Sequence, residues 1–396
     1  MALLKRYRVE AVFSGHVHHF FRQRYEQTNL YCLPATSFTR QDYAELFRVS
    51  AASEFGRDDT GKLHICTVDI LKEGHQLALI PTFGREGDAT LPPPTQSCQH
   101  GATVHLRHPW HESVDLPYNG PMEEFSRKRA HNDYTLMRLL QTGLSNVRVP
   151  IEDFTDPAIV NSVRRYHHSG IHFHAMSLGF PATETLQQLQ TIEGAPRSLE
   201  IVLPEYPESA ASIEKLDDDF KRVGSHTSGM ALWLGAAVSS SRQHAAAAGT
   251  ASVFAHTVTS GLLIEDCEYV LGALAQLKAQ LQLSSMAGAL FQVPWEAELQ
   301  QAFLQVNDTC NACEAVSAQL VIRLAPSNPA NANFDDKAIA QRVSQALALG
   351  IKHPALSLQF DTFADIERGY APRHGFVDRR FNLRPAGMQL AGFTAG

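Results

Sequence analysis

Missing from these 396 residues is any apolar run long enough to cross a bilayer, and the Ala-rich stretch 245–251 is too short and too small to serve as one. Missing too is a secretory leader, because the basic start Met1-Ala2-Leu3-Leu4-Lys5-Arg6-Tyr7-Arg8 is not followed by an apolar core and a cleavage site. Cysteine is scarce. Six over the whole length make no disulfide framework, and Cys310-Asn311-Ala312-Cys313 is a lone C-x-x-C without the second pair that a structural zinc site needs. Charge of either sign is not dominant: 34 basic against 41 acidic residues give a net charge of −7, which sets up no field for nucleic acid. No Gly-rich phosphate-binding fingerprint follows any candidate strand. These absences point to a cytosolic protein without membrane or nucleic-acid partners.

What is present is an ordinary globular balance, 44% hydrophobic and 19% charged, in a chain long enough for two domains. Three segments are expected. Residues 1–85 carry short strand-like runs, Val9 to Phe13, Leu30 to Leu33 and Leu63 to Ile70. Residues 86–125, with Pro92-Pro93-Pro94 and Asn119-Gly120-Pro121, have the composition of a linker or irregular collar, and Thr103 to Leu106 is its one possible strand. From 126 to 396 strands alternate with helices. Strands are expected at 146–151, 170–175, 198–203, 230–235, 252–258, 289–293, 319–324 and 355–360. Helical patterns lie between them at 183–192, 209–223, 265–282, 296–307 and 335–349. Eight strands in about 270 residues fit a (β/α)8 barrel, an α/β fold; an open doubly wound sheet is the alternative.

The most specific chemistry stands at the N-terminus, where the apolar run Val9-Glu10-Ala11-Val12-Phe13 leads into Ser14-Gly15-His16-Val17-His18-His19. Side chains two apart on a strand point the same way, so His16 and His18 could present imidazole nitrogens to one metal site. Together with Leu33-Pro34-Ala35-Thr36-Ser37, this segment resembles the closing part of a calcineurin-like metallophosphoesterase, whose last motif is Gly-His-x-His. The resemblance implies an α/β sandwich of which residues 1–85 are the C-terminal fragment. It also implies two divalent metal ions (Mn, Fe or Zn), with His16 ligating one and His18 the other, and a small-molecule phosphoester as substrate, hydrolysed across the two metals. The family's Asp-x-His, Gly-Asp, Gly-Asn-His and further His all lie upstream of that motif, and only fifteen residues precede His16 here. The reading frame is therefore expected to continue upstream of Met1.

The barrel offers further candidates. Polar residues recur on one face of the expected strands: Arg148, Glu152, His172, His174, Glu200, Gln292, Arg323, Gln359 and Asp361. Parallel barrel strands are usually apolar on both faces, so this pattern implies a hydrogen-bonded interior. It has two meanings, a ligand pocket formed by His172, His174, Glu200, Arg323 and Asp361, or an ion-pair lattice such as Arg323 with Glu200. His172-Phe173-His174, His256 and Asp361 also resemble the amidohydrolase metal pattern, without its Lys and its second late His. The tail from Asp361 through Gly369 to Arg380 resembles the barrel endings of some retaining glycosidases, which place an acid carboxylate after strand four and a nucleophile at strand seven. On the strand count above neither position is a carboxylate, and Glu205, Glu296 and Asp361 remain as acid/base candidates near strand ends. Arg373, Arg379, Arg380 and Arg384 with His374 form a basic segment, suited to an anionic substrate or to surface carboxylates. The leading expectation is thus the C-terminal portion of a metal-dependent phosphoesterase with an accessory barrel. Its alternatives are a non-catalytic barrel that binds a sugar or phosphosugar, and an independent barrel hydrolase.

Overall fold

The computed structural model describes residues 2–18, 20–36, 64–72, 74–81, 101–106, 108–115, 129–227, 229–239, 258–326, 336–365, 374–378 and 381–392. They form two compact units. One comprises residues 101–105 and 145–362, the other residues 1–100, 106–144 and 363–396.

The first unit is a closed parallel barrel. Its eight strands are, in order around the sheet, Thr103–His105, Asn146–Pro150, His172–Leu178, Ser198–Leu203, Ala231–Ser239, Met286–Val293, Ser317–Ile322 and Leu356–Phe360. Strand five pairs with strand six through Leu232 and Met286, and strand eight returns to strand one through Gln359 and Thr103, so the sheet has no gap. Closure matches the (β/α)8 expectation and excludes the open sheet.

The strand assignment differs from the sequence expectation at the first strand and at the fifth expected one. Strand one is only three residues long and lies in the stretch whose Pro and Gly content marked it as linker. The strand expected at 252–258 lies outside the described residues except for Val258, and Val258–Ser260 runs antiparallel to strand five. Ser198–Leu203 is therefore strand four, not strand three.

Local sequence explains the helices that cover the barrel. In Pro157–His168 the Asp156 carboxylate accepts from the Ala158 amide at 2.8 Å, and Pro157 occupies the first turn, where its missing N–H costs nothing. Ile159, Val163 and Tyr166 recur at helical spacing and are buried. Phe154 and Tyr166 meet Phe173 of strand three from outside, at ring-centroid distances of 5.7 and 6.3 Å. Phe173 with its register partner Val147, and Ala175 with its register partner Leu199, thus face the helices, while His172, His174, Arg148, Ser198 and Glu200 face inward. The polar face read from the sequence is the barrel interior.

The second unit contains a three-stranded sheet. Ala11–His18 is parallel to Thr28–Pro34, which is antiparallel to Phe21–Tyr25. Hairpins form from His64–Leu71 with Gly74–Pro81, and from Ser113–Asp115 with Arg129–His131. Its buried centre includes a charge: Arg138 of the helix Tyr134–Thr142 donates to the carbonyls of Phe381 and Leu79 (3.4 Å to the latter), and contacts His64 Nε2 at 2.7 Å. Among the described residues no helix is long and apolar enough to cross a membrane.

Candidate functional site

At the N-terminal metal motif the backbone leaves the extended form that its reading assumes. His16 and His18 both adopt left-handed backbone angles, φ 82° and 65°, and the pairing with Thr28–Pro34 loses register between Ser14 and His18. The regular alternation that would aim two imidazoles at one point is broken there. Among the described residues no three His, Cys, Asp or Glu side chains gather as a metal would require. Two imidazoles without a bridging carboxylate do not fit a two-metal centre. His19 lies outside the described residues. In the lone C-x-x-C, Cys310 is buried, and burial pushes its thiol up to about 11.

His172 and His174 are the first and third residues of strand three, at the N-terminal end of the barrel. There His174 Nδ1 meets Ser198 Oγ at 2.7 Å and His174 Nε2 meets Asn146 Oδ1 at 3.2 Å. Asp361 follows the last residue of strand eight. Among the described residues no three His, Cys, Asp or Glu side chains gather as a metal would require, so the amidohydrolase-like set His172, His174 and Asp361 forms no such cluster, and His256 lies outside the described residues.

Burial lowers the His174 imidazole to about 4, with Arg197 and His172 adding repulsion. Its folded value is below the unfolded one of about 6.5, so the unfolded chain binds the extra proton between these two values. The contribution is complete above about pH 6.5 and is lost as pH falls toward 4. Urea unfolding is expected to show about 2 kcal/mol of pH-dependent stability over that range that His174→Gln lacks. Identical pH slopes for parent and variant would contradict this.

Arg148, the register partner of His174, meets Glu200 across strand three. The Nε of Arg148 donates to Glu200 Oε2 at 2.5 Å, its Nη2 donates to Ser260 Oγ at 3.1 Å, and its Nη1 lies 3.3 Å from His105 Nδ1. Both charged side chains are about 95% buried. Gly235 of strand five leaves room for the carboxylate, since a Cβ there would sit 2.8 Å from Glu200 Oε1. Beside them Gln292 donates to the Gly261 carbonyl and accepts from Thr259 Oγ1 at 3.0 Å. Glu200 thus pairs with Arg148, and Arg323 pairs instead with Asp361, at 3.3 Å. Sequence reasoning named the charged members but missed His105, Ser260 and Gly235, because none shows a recognisable pattern until the barrel closes.

At the C-terminal mouth, where barrel chemistry resides, strand four runs into Pro204-Glu205-Tyr206. Glu205 is exposed, yet its loop is pinned on the following side. The Tyr206 hydroxyl donates to Asp266 Oδ2 at 2.5 Å and accepts from the Leu263 amide at 3.0 Å, and Tyr269 donates to the Pro207 carbonyl at 2.6 Å. Burial, followed by the Asp266 carboxylate, raises Tyr206, and burial pushes Tyr269 up to about 12, so both hydroxyls remain protonated donors. Glu296 is exposed three residues past strand six. Of the basic C-terminal segment, Arg373, Arg379 and Arg380 lie outside the described residues, and Arg384 pairs with the buried Asp365 at 2.5 Å.

No family model and no curated protein matches this chain. Similar solved structures include a thermostable mutant of a xylanase from Cellvibrio japonicus, 10% identical over 74% of this chain and 97% of that one, TM-score 0.44. A family 39 glycoside hydrolase from Bacteroides cellulosilyticus is 9% identical over 83% and 69%, TM-score 0.44. A β-D-glucuronidase from Dictyoglomus thermophilum is 9% identical over 94% and 56%, TM-score 0.40. No metal-capable cluster occurs among the described residues, so the expected two-metal phosphoester hydrolysis does not hold, and nothing found supports a metallophosphoesterase portion.

Proposed function

We propose that the barrel is itself the functional unit, an independent hydrolase of glycosidic bonds, with Glu205 as the proton donor. The observation that carries this is the corrected strand order. It makes Ser198–Leu203 strand four and puts Glu205 just beyond it, where the glycosidase resemblance requires an acid carboxylate, on a loop held by two tyrosines. The strand-seven position holds Arg323, so a covalent glycosyl intermediate has no nucleophile there. The scheme left to these residues is single displacement. The Glu205 carboxylic acid protonates the leaving oxygen while a second carboxylate takes a proton from the attacking water, and Asp361 at the end of strand eight is the candidate for that second role.

Turnover of 4-nitrophenyl glycosides and oligosaccharides by the full chain tests this. Glu205→Gln and Asp361→Asn are each expected to lower kcat/KM at least about 100-fold with little change in melting temperature for the exposed Glu205. Turnover indifferent to both substitutions would exclude the assignment. The Arg323–Asp361 pair favours a second reading, a sugar-binding barrel without catalysis, because the arginine neutralises the carboxylate the reaction needs. A chain that no glycoside turns over, yet whose melting temperature rises with a sugar, would establish that reading instead.

A further inference from the structure

Trp295 stands directly beyond strand six, at the barrel mouth, and is only partly buried. An indole carries enough apolar surface that leaving it at a water-facing rim is costly unless the ring has a use. This one is also held still. The Arg342 guanidinium lies over it, 5.3 Å from the ring centroid. That guanidinium is fixed by carbonyls on both neighbouring strand ends: Arg323 at 3.0 Å, Ala297 at 3.3 Å, and Pro294 and Val293 at 2.5 and 3.5 Å. Burial lowers Arg342 to about 10, opposed by the carboxylates of Glu296, Asp361 and Glu298, which therefore surround the same cation. Glu296 and Glu298 are exposed beside the indole. When ionised they can only accept hydrogen bonds.

We infer that Trp295 is a stacking platform for one neutral pyranose ring at the barrel mouth, with Glu296 and Glu298 accepting from the ring's hydroxyls. This rests on the glycan reading of the barrel and narrows it. A sugar ring offers an apolar C–H face to the indole and hydroxyl donors at its edge, which is the complement of a flat apolar surface flanked by acceptors. The same carboxylates repel a uronate or a phosphosugar, so the site selects against acidic glycans.

Intrinsic fluorescence of the full chain, titrated with cellotetraose, xylotetraose, tetragalacturonate and adenosine, tests the platform. One of the two neutral tetrasaccharides is expected to shift Trp emission, and tetragalacturonate and adenosine to bind at least about 10-fold more weakly, equivalent to about 1.4 kcal/mol. Trp295→Ala should weaken that binding about 10-fold or more, and Trp295→Phe, which keeps a flat ring and protects against loss of folding, should restore part of it. No response to either neutral sugar, an equal response to adenosine, or binding unchanged in Trp295→Ala would overturn the inference. Glu205→Gln separates it from the hydrolase reading. A sugar that binds through Trp295 without ever being cleaved refutes the hydrolase and leaves the platform standing. Cleavage that Glu205→Gln abolishes and Trp295→Ala leaves untouched in KM does the reverse.

Discussion

Glu200→Ala is expected to destabilise the barrel by about 3–5 kcal/mol, a loss readable as a shift in urea midpoint at constant slope. The cost comes less from the missing contact than from what remains. Arg148 is only 4% exposed, and without its carboxylate it would keep one hydroxyl and one imidazole as partners, neither of them charged to compensate it. Arg148→Ala should cost a similar amount by stranding Glu200, whose Oε1 already has no hydrogen-bond partner. Replacing both by Met removes the two desolvated charges together and is expected to be close to neutral, or stabilising. The double variant is the informative one. If it is as unstable as either single variant, the interior there depends on the shape of the two side chains and not on their charge. If Glu200→Ala stays within about 1 kcal/mol of the parent, the pair is not buried as described.

Gly288→Ala should be at least as damaging, with a cost of about 3 kcal/mol or more, or no folded protein at all. Gly288 lies in strand six with φ 156°, paired with Trp233 of strand five and Ser317 of strand seven. A Cβ there would lie 1.7 Å from the Ser317 carbonyl oxygen and 2.7 Å from its carbon. Those are backbone atoms of a paired strand, so no rotamer change relieves the clash, and the barrel must open between strands six and seven. Gly272→Ala is the matched control. That glycine sits within the helix Cys267–Leu281 with no atom inside 4 Å of its Cβ position, and alanine there should add about 0.5–1 kcal/mol through helix propensity. Equal melting temperatures for the two glycine variants would refute the steric account.

Much of the barrel was legible in the amino-acid order. Seven of its strands sit on runs recognised from apolar alternation, and the inward polar set Arg148, His172, His174, Glu200, Gln292, Arg323, Gln359 and Asp361 was visible as a pattern. Periodicity is a local property, and each strand needs only its own five to eight residues to display it. Thr103–His105 failed that test because three residues carry too little period to register, especially among prolines and glycines. Its identity as strand one comes from pairing with Gln359, far along the chain, and with Asn146. The shifted numbering left Glu205 as one acid/base candidate among three, without the strand-four position on which the proposal rests.

The N-terminal histidines show a related limit of local pattern. A Gly-His-x-His on a strand implies a shared direction only while the backbone stays extended, and both histidines leave that conformation. Within the chain's order alone, then, lie the element types, the barrel's size and the polarity of its interior, because these follow from composition and short-range period. Partner choice belongs to the closed barrel. Arg148 with Glu200, Arg323 with Asp361, and Arg342 over Trp295 join residues 38 to 52 positions apart through an interior and a rim that exist only after closure. Electrostatic pairing depends on distance in space, and no periodicity in the sequence records that distance.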